Sequence, residues 1–110
     1  MILQHDHPFP HLDLLMQDGD VLKAWRLLDD FRCNAWLAAE ALPDHRLKFL
    51  DYEGPISGDR GTVSRLADGT FEPIAHESST EQAFVLLDCR LATRAVYRAA
   101  AAAAAAWRFS

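Results

Sequence analysis

Residues 11–16, HLDLLM, alternate, and a period of two puts His11, Asp13 and Leu15 on one strand face and Leu12, Leu14 and Met16 on the other. Asp18-Gly19 follows, a pair suited to the positive φ angles of a type I′ turn, and an apolar run over residues 21–28 comes next. The pattern predicts a β-hairpin. Beyond the polar Asp29-Asp30, residues 34–42 read NAWLAAEAL. Asn34 as N-cap and Pro43 as a stop predict a short helix here, with Trp36 and Leu37 as packing residues that close the fold. Gly54, Gly58 and Gly61 lead into the strand-like residues 62–66, so they read as turn residues; a phosphate-cradling loop would open a helix instead. Asp68-Gly69 repeats the hairpin signal between residues 62–66 and 70–74, and Pro73 pushes the second of these toward a sheet edge. His76 falls in the polar HESSTEQ segment, read as an exposed loop. Residues 83–87 and 93–98 read as strands, with Asp88-Cys89-Arg90 at a turn or bulge between them. Residues 99–106 are eight consecutive alanines, and intrinsic propensity alone would extend a helix from about Leu91 to Trp107.

A chain of 110 residues suits one domain spanning 1–110, with a single core. Half of its residues are hydrophobic and a quarter charged, a globular composition. The net charge of −5 argues against a broad non-specific DNA-binding surface, which would gain affinity from Lys and Arg. Cys33 and Cys89 show no metal-ribbon or C-x-x-C spacing, so reduced thiols and a cytoplasmic location are expected. The polar HDHPFPH segment excludes a signal peptide's apolar stretch, and the alanine run is too short to span a bilayer.

Candidate chemistry gathers in residues 5–13. An imidazole and a carboxylate two apart on a strand, His11 and Asp13, point the same way, and Pro8 and Pro10 stiffen a loop that could bring His5 or His7 beside them. Two His and one Asp with open positions suit a divalent ion such as manganese, iron or zinc. The competing reading is a polar loop whose histidines bind nothing. A cupin-like site built on His5 and His7 lacks the glutamate and glycine spacing that pattern needs.

His5, His11 and Asp13, followed by Pro43-Asp44-His45 and Asp51-Tyr52-Glu53-Gly54, resemble the N-terminal phosphoesterase domain of bacterial DNA ligase D. That family's first block, a His, five residues, then His-x-Asp-Leu-Arg-Leu, is matched in spacing, with Leu15 where the arginine stands. In the second block Phe49 stands where the family has a tyrosine. The resemblance implies a small antiparallel β-barrel, an all-β fold with the one short helix. It implies Mn2+ held by His5, His11 and Asp13, His45 as a phosphate-contacting catalytic residue, and removal of 3′ phosphates and 3′ ribonucleotides from DNA ends. The implied partners are DNA 3′ ends and a repair ligase or polymerase. It also favours strands on both sides of the alanine tract, the last carrying Trp107-Arg108-Phe109. Leu15 and Phe49 motivate a second expectation, a non-catalytic, metal-stabilised module in DNA repair.

Overall fold

The period-two pattern becomes strand almost throughout. The structure is a computed structural model and describes residues 1–6, 9–47, 53–55, 61–78, 80–99 and 104–110. Among the described residues ten strands form: β1 (Ile2–His5), β2 (His11–Asp18), β3 (Val21–Leu27), β4 (Trp36–Arg46), β5 (Gly54–Pro55), β6 (Thr62–Ala67), β7 (Thr70–Ser78), β8 (Glu81–Leu87), β9 (Arg94–Ala99) and β10 (Ala104–Phe109). They make one antiparallel sheet in the order β5-β6-β1-β2-β3-β4-β10-β9-β8-β7.

One apolar cluster draws on nearly every strand. Ile2 and Leu14 meet Leu37, Ala39, Trp107 and Phe109 there, with Phe71 and Phe84 from the far end of the order packed against them. A flat sheet cannot bring its two ends to one cluster, so the sheet curls into a barrel around it. Among the described residues no pairing joins β5 to β7, and the barrel stays open along that seam. Trp107 sits at its centre, its ring 5.1 Å from those of Trp25 and Tyr97. On the outer face a second cluster, Leu3, Leu15, Leu22, Ala24 and Val63, backs β1, β2, β3 and β6. Strand β2 is therefore buried on both faces, and this double burial is what fixes its position beneath the histidines.

Two expectations about the later strands hold. Pro73 lies on β7, the edge strand, next to a register irregularity against β8, a setting that tolerates a residue without an N–H. The alanine tract ends β9 and begins β10, which carries Trp107, Arg108 and Phe109.

The expected helix over residues 34–42 is not formed; among the described residues there is no α-helix, and that segment opens β4. Alternation in the tertiary setting outweighs alanine's helical preference. Leu37 and Ala39 enter the core while β3 and β10 satisfy both edges of the backbone. Asn34 is a left-handed turn residue, φ 63°, whose N–H donates to the Phe109 carbonyl, and so it caps nothing. Pro43 falls where β4 shifts register against β3, a bulge that tolerates it.

The first hairpin forms one residue later than Asp18-Gly19 suggests. Asp18 pairs with Val21, so Gly19-Asp20 is the two-residue loop, with positive φ at Gly19 only, the φ signs of a type II′ turn. Asp68-Gly69 makes no hairpin at all: β6 pairs with β1 and β5, and β7 with β8. This link crosses the barrel seam. A Cβ on Gly69 would lie 2.5 Å from the Leu87 carbonyl oxygen, so glycine is needed for close approach. His76 lies within β7 and not in a loop.

Candidate metal centre

His5 and His11 are direct register partners at the open end of the β1–β2 pair, so both project from one face. Asp13 follows His11 by two residues on that face and is 4 % exposed, a buried carboxylate. The sheet thus brings the three expected ligands together without help from the loop. His11 Nε2 lies 3.1 Å from Asp13 Oδ1, and His5 Nδ1 lies 3.5 Å from Asp13 Oδ2. The imidazole rings stand 5.0 Å apart, and one ligand atom from each residue falls within 4.8 Å of the others. His7 lies outside the described residues.

The hydrogen bonding of His11 decides what the group can hold. Its Nδ1 is 2.7 Å from the Phe9 carbonyl oxygen, which can only accept, so Nδ1 carries the proton. When the imidazole is neutral, a proton on Nδ1 leaves Nε2 with a lone pair directed toward the Asp13 carboxylate. The 3.1 Å separation is close enough for an ion pair, yet its geometry is not that of a hydrogen bond. Both atoms are buried and unsatisfied. In that form two acceptors face each other, and a cation shared between them, a metal ion or a proton, removes the conflict. A histidine that donates one ring N–H to a backbone carbonyl and aims the other nitrogen at a shared centre has the arrangement of a metal ligand. The donor set, two imidazoles and one carboxylate, fits a divalent transition metal.

A cleft of about 540 Å³ opens beside the group, lined in part by His5, His11, Phe9, Asp6, Asp29 and Asp30. Two of these acids are engaged in the fold: Asp6 accepts from the Thr62 N–H and Asp29 from the Ala38 N–H. Phe9 is half exposed, its ring 5.4 Å from that of His11.

The structure does not bring His45 to the three ligands. It pairs with Leu22 on β3, whereas Asp13 pairs with Arg26, so His45 lies four residues, about 13 Å, further along the same face. Its Nδ1 is hydrogen-bonded to the Pro43 carbonyl. Leu15 is 1 % exposed and belongs to the outer apolar cluster. Phe49 and Tyr52 lie outside the described residues. The sequence reading missed Arg26, the cation opposite Asp13. The register of the first hairpin was the signal that could have found it, since a turn at Asp18-Gly19 sets Asp13 opposite Ala24 instead.

Searched against protein-family models and curated proteins, the chain matches none.

Proposed function

We propose that this chain is a metal-dependent phosphoesterase acting on the 3′ ends of DNA in repair, with Mn2+ as its metal. The observation that carries this reading is the buried, unsatisfied pair His11 Nε2 and Asp13 Oδ1, beside His5 and at the mouth of a cleft. The resemblance of the His5, His11 and Asp13 spacing to the ligase D phosphoesterase domain supports the choice of substrate. His5, His11 and Asp13 hold the ion. Bound there, it supplies Lewis-acid polarisation of a phosphoryl oxygen. Water adds to phosphorus as the bond to the 3′ oxygen breaks; that oxygen gains a proton, leaving a 3′ hydroxyl and inorganic phosphate.

His45 enters this reading as a contact to the substrate strand away from the reacting phosphate, because about 13 Å along the sheet separates it from Arg26. His45→Ala is expected to raise KM with kcat changed only a few-fold. A loss in kcat of roughly a hundredfold would instead make it the acid–base group.

The test of the reading is manganese-dependent release of phosphate from a DNA primer bearing a 3′ phosphate, with His11→Ala and Asp13→Ala beside the native protein. Release that vanishes in both variants is the expected result. A native protein that binds manganese and releases nothing contradicts it. The burial of Leu15 favours the second reading in that event, a metal-stabilised binding module in DNA repair.

A further inference from the structure

We infer that Arg26 is the residue that binds the substrate phosphate beside the His5, His11 and Asp13 group, an inference that rests on the phosphoesterase reading. Arg26 is the direct register partner of Asp13 across the β2–β3 ladder. Directly opposite residues share a face, with Cβ atoms about 5 Å apart. Its guanidinium carbon lies 5.5 Å from the centre of the Phe9 ring, and Phe9 lies against His11. Phe9 thus lines the cleft and also carries the guanidinium. Arg26 Nε is buried and has no hydrogen-bond partner, a charged donor without an acceptor.

The chemistry of the neighbourhood explains what such a donor is for. A phosphate entering the cleft meets Asp6, Asp29 and Asp30 on its wall, with the buried Asp13 carboxylate behind His5 and His11. A fixed cation is needed to offset their repulsion, and a guanidinium answers two phosphate oxygens with parallel N–H donors. Leu15 cannot supply this, since it is closed within the apolar cluster. Its register partner Ala24 lies two residues from Arg26 on the same face of β3. The chain has thus placed its guanidinium one strand over from the family's arginine position.

The test uses inorganic phosphate as the probe, titrated into the manganese-loaded full chain by calorimetry, with Arg26→Gln and Arg26→Lys as variants. Glutamine keeps part of the aliphatic stem without the charge, and lysine keeps the charge without the fork. Manganese affinity, measured separately, is expected to stay the same in both variants. Phosphate affinity is expected to fall by roughly tenfold or more in Arg26→Gln and by less in Arg26→Lys. Undiminished phosphate binding in Arg26→Gln overturns the inference, as does a manganese-loaded native protein that binds no phosphate. The primer assay separates the two claims. A native protein without turnover, whose phosphate affinity still depends on Arg26, removes the phosphoesterase reading and leaves the phosphate site. Turnover in the native protein, with phosphate binding indifferent to Arg26, does the reverse.

Discussion

Leu15 follows Asp13 by two residues on the same strand face, and its surroundings settle what the side chain does here. It packs with Leu3, Leu22, Ala24 and Val63 and is 1 % exposed. Leu15→Arg would bury an unpaired charge in that cluster and overfill it. The expected cost is about 3–5 kcal/mol, enough to unfold much of a marginal domain, measured as a lower urea midpoint than the native protein's. A variant as stable as the native protein would show that the outer cluster opens easily to solvent. Asp13 is the opposite case, a charge kept in a buried place where two acceptors face each other. Such a residue is costly to the fold unless something binds it.

At the scale of elements, the hairpin β2–β3 decides which side chains meet. Alternation alone was enough to place His11 and Asp13 together on one face of a strand, and the β1–β2 pairing then adds His5. The partner across the ladder was not legible, because Asp18-Gly19 and Gly19-Asp20 are equally acceptable turns by composition. A one-residue difference in the loop changes the residue facing Asp13 from Ala24 to Arg26. Strand β4 was misread for another reason: its alanines favour a helix locally, while the two flanking strands that hold it extended are distant in sequence. Asp68-Gly69 carried a local turn signal whose outcome depended on the curl of the whole sheet. The two glycines accordingly differ in what they do. Gly19 is there for its φ of 63° and has open space around it, so Gly19→Ala is expected to cost about 1–2 kcal/mol. Gly69 is there because the Leu87 backbone leaves no room. Gly69→Ala is expected to cost more, about 2–3 kcal/mol, since backbone of a neighbouring strand must move. Denaturant midpoints rank the two, and equal losses would contradict the seam described here.

For the molecule as a whole, the curled sheet supplies one enclosed core and leaves the ends of β1 and β2 at a cleft mouth. The net charge of −5 does not favour a grip along a nucleic-acid duplex, which gains its affinity from many Lys and Arg contacts. A divalent ion at the three ligands would also tie the end of β1 to the start of β2. The central claim is that His5, His11 and Asp13 hold such an ion, and it is tested most directly by titrating manganese into the native protein and Asp13→Asn while following melting. Native protein is expected to bind one ion and to melt higher with it, by about 2.7 kcal/mol of added stability at a hundredfold excess over Kd. Asp13→Asn is expected to bind none, yet to melt without metal at or above the native temperature, because its amide offers His11 Nε2 a donor in place of a second acceptor. A native protein indifferent to manganese, or an Asp13→Asn protein that binds it equally well, would contradict the account.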